Sequence, residues 1–82
     1  MTEQCISDLI EHLMQIEEDD FIPKNIRLSL RQAINALNEQ DIDPRIKANK
    51  ALQELDDISN DPNLPSYVRP QIWNVVSLLE SL

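Results

Sequence analysis

The chain contains a similar turn twice, 42 residues apart, and this repetition restricts its possible folds more than any other feature. The stretch "EEDDFIPKNIR" at 17–27 returns as "SNDPNLPSYVR" at 59–69. With that shift, identical residues coincide on both sides of the turn: Leu13 with Leu55, Ile16 with Ile58, Asp19 with Asp61, Pro23 with Pro65, Arg27 with Arg69, and Leu37 with Leu79. The repetition predicts two similar helical hairpins that pack together, because neither could bury its apolar stripe alone.

Apolar residues recur every three or four positions in four blocks, which is the spacing of an amphipathic helix. The blocks comprise Ile6, Leu9, Ile10, Leu13 and Ile16; Ile26, Leu30, Ala33, Ile34 and Leu37; Ile46, Ala48, Ala51, Leu52, Leu55 and Ile58; and Val68, Ile72, Val75, Val76 and Leu79. Each block predicts a helix about 22 Å long. Short connections favour antiparallel neighbours, so we predict an all-α fold, a four-helix up-and-down bundle of two helix-turn-helix hairpins.

Prolines mark where the helices are expected to begin. Asp43 is placed to cap the third helix, with Pro44 at its first position, where the missing N–H costs nothing. Pro23 and Pro65 are placed in the first turns of the second and fourth helices. Pro70 falls inside the opening turn of the fourth helix, which predicts a late start or a local distortion there.

Length and composition predict a single helical domain over residues 1–82, with the pseudo-repeat at 1–40 and 43–82. The net charge of −8 argues against bulk attraction to nucleic acid or an anionic membrane. The absence of glycine argues against phosphate-cradling loops. A single cysteine, Cys5, short apolar runs, and an N-terminal segment without the pattern of a secretory signal lead us to expect a cytoplasmic protein with no membrane segment.

The repeated turn charges have a structural interpretation. Asp19 and Asp61 are expected to satisfy free backbone N–H groups at the two turns. Arg27 and Arg69 are expected to pair with these aspartates or with the turn of the other hairpin. The sequence therefore predicts that these four residues stabilise the turns.

The stretch "LDDISNDPNLPSYVRPQIWNVVSLLE" at 55–80, together with "FIPKNIR" at 21–27, resembles a family of small archaeal proteins, the uncharacterised protein family zero-one-four-seven. The most specific part is "ISNDPNLP" followed by Arg69 and the Ile72–Trp73 pair, and the resemblance covers nearly the whole chain. It implies a four-helix bundle with bromodomain-like topology and an archaeal, cytoplasmic protein. It implies no activity and no catalytic residues.

The residues that could carry catalysis or bind metal are sparse. Cys5, Asp8 and His12 share adjoining faces of the first helix, but a zinc site normally needs more His or Cys ligands than this segment has. The acidic runs at 17–20, 41–44 and 56–61 could bind Ca²⁺ or Mg²⁺, or could simply be solvated turns, and they lack the glycine and ligand spacing of an EF-hand. We therefore predict no catalytic residues, no metal, no cofactor and no enzymatic activity.

Two surfaces remain as candidates for function. Lys24, Arg27 and Arg31 lie on one stripe of the second helix and could touch RNA or an acidic partner, although pairing with the chain's own acids is the alternative.

The fourth helix is apolar well beyond one stripe, so part of it is either central in the core or covered by another molecule. The residues considered for such an interface are Phe21, Tyr67, Trp73, Leu78 and Leu82. The leading hypothesis is a non-enzymatic module that self-associates or binds a protein partner; the alternative is an accessory nucleic-acid binder that uses Lys24, Arg27 and Arg31.

Overall fold

The computed structural model describes the backbone of residues 2–81 and the side chains of residues 6–81. Four α-helices make up the fold: α1 (Thr2–Glu17), α2 (Lys24–Leu37), α3 (Pro44–Ser59) and α4 (Arg69–Glu80). Each helix packs against the next along the chain, and α4 packs against α1 to close the ring. The prediction of an all-α four-helix bundle is confirmed; the comparison with bromodomain topology stays a prediction.

The core consists of aliphatic side chains contributed by all four helices and by both proline-containing turns. Leu13, Leu30, Leu55 and Ile72 are completely buried, and the apolar stripes read from the sequence supply most of the remaining core. Among the described side chains, every buried one is hydrophobic. Because α2 packs on α3 as well as on α1, the two hairpins share one core. Ile46, predicted to lie on the stripe of α3, is instead 51% exposed, since it lies near the N-terminus of the helix and on the side away from Ala51 and Leu55.

The helix starts differ between the two hairpins. The carboxylate of Asp43 accepts a hydrogen bond from the backbone N–H of Arg45 at 2.8 Å, and Pro44 opens α3 as predicted. Pro23 occupies the N-cap position of α2 rather than its first turn. Pro65 begins a separate turn, closed by a 3.0 Å bond from the N–H of Val68 to the carbonyl of Pro65, before α4 starts at Arg69. This late start is the distortion that Pro70 predicted, because a proline cannot donate the hydrogen bond that would extend the helix backwards.

The connection between α2 and α3 turns without glycine. Asp41 takes a positive φ of 61° there, and aspartate is one of the few residues that tolerate this conformation. None of the helices in the described part of the chain is both long enough and apolar enough to cross a membrane.

Candidate functional site

The two repeated turns lie at the same end of the bundle, and each is organised by its aspartate. The Asp19 carboxylate accepts a hydrogen bond from the backbone N–H of Phe21 at 2.9 Å. The Asp61 carboxylate accepts the equivalent bond from the N–H of Asn63 at 2.8 Å. Both are Asx-turns, in which the side chain takes the place of a backbone acceptor. The turn-stabilising role predicted for the two aspartates agrees with these bonds.

Each aspartate also holds the other hairpin. The Tyr67 hydroxyl donates to Asp19 Oδ2 at 2.6 Å, and the Asn25 side-chain amide donates to Asp61 Oδ2 at 3.0 Å. Asn25 and Tyr67 are themselves 42 positions apart, so the two bonds are reciprocal between equivalent sites. Asn25 was not singled out from the sequence, although the 42-residue shift aligns it with Tyr67.

The bond between Tyr67 and Asp19 alters the proton affinity of both groups. The pKa of Asp19 is lowered, first by the hydrogen bond from Tyr67 and then by that from the N–H of Phe21, with a further contribution from the charge of Arg27. The pKa of Tyr67 is raised, mainly because its proton is held by Asp19. At neutral pH the carboxylate is therefore ionised and the phenol protonated, the pairing that this hydrogen bond requires.

The two repeated arginines behave differently, which the sequence did not indicate. Arg27 donates through Nε to the carbonyl of Glu17 at 3.1 Å and through Nη2 to the carbonyls of Asp19 at 2.8 Å and Ile22 at 3.4 Å. It thus binds the backbone of its own turn rather than the Asp19 carboxylate. Arg69 has a buried Nε with no hydrogen-bond partner among the described residues. The predicted pairing of Arg69 with Asp61 is absent from the described contacts, because the late start of α4 changes the backbone that carries this arginine.

The predicted basic patch of α2 is largely occupied by contacts within the chain. Arg31 forms a two-pronged ion pair with Glu17, in which Nε donates to Oε2 at 2.8 Å and Nη2 contacts Oε1. The guanidinium of Arg27 donates hydrogen bonds to backbone carbonyls at the first turn. Of the three patch residues, only Lys24 is exposed without a partner among the described side chains. On α3, the Lys50 ammonium lies 3.5 Å from the carboxylate of Glu39.

All three aromatic residues of the chain lie on the surface. Phe21 is 81% exposed, Trp73 57% and Tyr67 51%. Phe21 and Tyr67 flank the Asp19 carboxylate at the turn end of the bundle, since both donate a hydrogen bond to it. The question of whether Trp73 belongs to the core or to the surface is therefore decided in favour of the surface.

The interface candidates that the structure describes do not form one continuous patch. Leu78 is 46% exposed, but five helical positions separate it from Trp73, and this places the two side chains about 140° apart around α4. Leu82 lies outside the described residues. Two further exposed aliphatic residues, Leu28 at 60% and Met14 at 42%, stand on α2 and α1.

Trp73 lies in an open groove of about 560 Å³ between α3 and α4, which we call the α3–α4 groove. Its lining includes Leu52, Asp56 and Ser59 from α3, and Trp73, Val76 and Glu80 from α4. Leu52 and Val76 pack against the core and form the apolar floor of the groove. The carboxylates of Asp56 and Glu80 are exposed.

The acidic and metal-ligating candidates form no site in the described part of the chain. Within residues 6–81, no three or more His, Cys, Asp or Glu side chains are grouped so that they could hold a metal ion. Of the three residues considered on α1, the side chain of Cys5 lies outside the described residues. His12 lies one helical turn from Asp8 on α1, and among the side chains of residues 6–81 the two belong to no group of three or more potential metal ligands.

Comparison with known proteins gives a consistent family match. Over residues 1–82 the chain matches the family model described as "Uncharacterised protein family (UPF0147)". It is 38% identical over 77 residues to a "UPF0147 protein" of Methanothermobacter thermautotrophicus, covering 94% of this chain and 72% of that protein. It is 41% identical over 80 residues to one of Metallosphaera sedula, covering 98% and 90%. A crystal structure of MMP1188, a protein of unknown function, is similar with a TM-score of 0.91 and 40% identity, covering 95% of this chain and 89% of that one.

Proposed function

We propose that this chain, which belongs to the uncharacterised protein family UPF0147, is a non-enzymatic interaction module that contacts other protein chains through its exposed aromatic residues. One observation supports this most: Phe21, Tyr67 and Trp73 are all more than half exposed, while the core is aliphatic. Large aromatic side chains supply much of the binding energy at protein interfaces. Leaving all of them in water is a cost to solubility that an interface would remove.

The local structure holds these aromatic residues in place without burying them. The Tyr67 hydroxyl donates to the Asp19 carboxylate at 2.6 Å, which fixes the tyrosine side chain, and the backbone N–H of Phe21 donates to the same carboxylate at 2.9 Å, which fixes the main chain that carries the phenylalanine. Trp73 stands on a regular helix whose neighbours Ile72 and Val75 are fully buried. A side chain held on a rigid element loses less conformational freedom on binding, which favours affinity.

The alternative, a nucleic-acid binder that uses α2, has less support. Arg27 and Arg31 are already bound to groups of the chain itself, and a phosphate would have to compete with Glu17 for Arg31. Lys24 alone would supply little of the counter-charge that such binding requires. As part of the proposal we place the protein in the cytoplasm, where a single cysteine such as Cys5 is ordinarily kept reduced.

The proposal is tested by the native mass of the protein purified gently from its own cell. We expect the mass of an assembly above the 9.5 kDa of one chain, containing a second copy or another protein. Trp73→Ala and Phe21→Ala should each reduce the fraction assembled. Leu28→Ala is the matched control for Trp73→Ala, because Leu28 is exposed to a similar extent, 60% against 57%, but lies on α2 rather than α4.

Two results would contradict the proposal. A protein that remains a single chain at all concentrations and carries no partner would remove the interaction itself. An assembly that persists unchanged in both aromatic variants would show that other surfaces carry it. Bound RNA that is lost in Lys24→Ala, with the aromatic variants unaffected, would instead support the alternative.

A further inference from the structure

The α3–α4 groove has the length of a site for a helix. Its α3 wall runs from Asn49 to Ser59, ten helical steps or about 15 Å. The apolar anchors of a bound amphipathic helix, at positions i, i+4 and i+7, span about 10 Å. Leu52, Trp73 and Val76 are the apolar residues of the groove lining, and Leu52 and Val76 pack against the core. Because the groove is open along its side, it suits an extended partner segment better than an enclosed small molecule.

The charges of the groove indicate which kind of helix it would accept. Asp56 and Glu80 are the only charged residues among its lining, and both are exposed. Arg45 lines an adjoining hollow together with Glu80, and Asp56 is not part of that hollow's lining. Neither Asp56 nor Glu80 has a side-chain ion pair among the described residues. A partner with basic residues beside its apolar stripe would form ion pairs with these carboxylates.

The net charge of the whole chain argues against a second copy as the occupant. Two copies would each carry a charge of −8, and like charge of this size opposes association. A basic segment would be attracted by the same field. We infer that the α3–α4 groove binds a basic amphipathic helix of another protein, with its apolar stripe on Trp73, Leu52 and Val76 and a basic side chain on Asp56. This inference rests on the proposed function and names its partner class.

Trp73 makes the test direct, because it is the only tryptophan and it lies in the groove. The probe is a synthetic helical peptide of about 18 residues with leucines on one stripe and lysines elsewhere, long enough to form a helix by itself. A second peptide carries glutamate in place of every lysine. We expect the lysine peptide to shift Trp73 emission to shorter wavelength, saturably and less strongly at high salt, and the glutamate peptide to have no effect.

Two matched variants locate the binding. Asp56→Asn should weaken the lysine peptide about two- to fivefold, the range for one partly exposed ion pair. Asp57→Asn removes the same charge from the next position of α3, outside the groove lining, and should have a smaller effect. Trp73→Ala, followed by calorimetry, should abolish saturable binding. Asp56→Asn keeps the inference testable even if Trp73→Ala failed to fold.

Several results would overturn the inference. These are equal binding of the two peptides, equal effects of Asp56→Asn and Asp57→Asn, or no saturable binding up to about 1 mM peptide. A concentration-dependent dimer that shifts Trp73 emission without any peptide would make a second copy the occupant. That last result would leave the proposed interaction module standing, whereas a native mass unaffected by Trp73→Ala and Phe21→Ala would remove it. The two failures are therefore distinguishable.

Discussion

Replacing Arg27 by Ala should destabilise the fold much more than replacing Arg69, although the two occupy equivalent positions of the repeat. Arg27 joins the end of α1 to the first turn by donating to the carbonyls of Glu17 and Asp19 at 3.1 and 2.8 Å. A third bond, to the carbonyl of Ile22, is long at 3.4 Å. Without the guanidinium, the carbonyl of Glu17 would depend on water in a part-buried site, and the carbonyl of Asp19 would keep only the 3.3 Å bond from the backbone N–H of Ile22.

The size of the effect follows from these bonds. A hydrogen bond that involves a charged group contributes about 1.5–3 kcal/mol, and the lower end applies here because water can partly replace the donor. Two good bonds therefore place the loss in Arg27→Ala at about 2–3 kcal/mol. In a domain of this size that corresponds to a fall in Tm of about 10–20 °C. Arg69→Ala should cost less than about 1 kcal/mol, because it removes a buried Nε that has no partner within the described part of the chain and loses only the packing of the side-chain stem.

The assay is urea denaturation followed by far-ultraviolet circular dichroism, with native protein, Arg27→Ala and Arg69→Ala compared at one pH. Arg27→Lys serves as a further control, since lysine keeps the charge but cannot donate along the fork of a guanidinium, and its loss should be intermediate. Equal destabilisation by Arg27→Ala and Arg69→Ala would refute this reasoning, because the contacts of the two arginines would then be equivalent in solution.

Two further predictions concern the turns and the helix starts. The folded-state pKa of Asp19 lies below its ordinary value of 3.8 and that of Tyr67 above 10.0, so their mutual stabilisation is present between these pH values. It is lost as pH falls through the folded pKa of Asp19 or rises through that of Tyr67. The stability difference between native protein and Tyr67→Phe should therefore be largest from about pH 4 to 10 and should shrink at both extremes; a difference independent of pH would contradict it. Asp43→Ala should cost about 1 kcal/mol through loss of the α3 cap, while Asp43→Asn should retain most of the stability, and thermal unfolding of the pair would show whether the side-chain acceptor matters.

The helices and the core could be predicted because they depend on patterns that are local in the sequence. Leu30, Leu55 and Ile72 lie on stripes of period 3.6, and the structure buries each of them completely. The start of α3 at Pro44 and the late start before Pro70 follow from the missing proline N–H, which acts within one helical turn. The family resemblance read from "ISNDPNLP" is confirmed by the match over residues 1–82.

The candidate site was predicted only in part, because it depends on which side chains share a surface. The sequence could not show whether Trp73 and Leu78 are exposed or buried. In a small domain, apolar residues that lie outside the main stripe of a helix can face either the core or the solvent. Their spacing already puts them on different flanks of α4, but only the packing of α4 against α1 and α3 shows that both flanks face solvent. Likewise, the guanidinium of Arg31 is already paired with the carboxylate of Glu17, which lies fourteen residues away on another helix.

What the sequence determined by itself is the set of elements: four amphipathic helices, two aspartate–proline turns and an acidic chain that lacks the glycine of nucleotide-binding loops. These follow from side-chain periodicity and backbone stereochemistry, which act over a few neighbouring residues. Tertiary structure alone decided how the two turns meet. It placed Tyr67 on Asp19 and Asn25 on Asp61. It also bound Arg27 to the first turn, while the Nε of Arg69 has no hydrogen-bond partner among the residues that the structure describes. The physical reason is that a hydrogen bond depends on distances of about 3 Å between groups far apart in the chain, and only the packed core sets those distances.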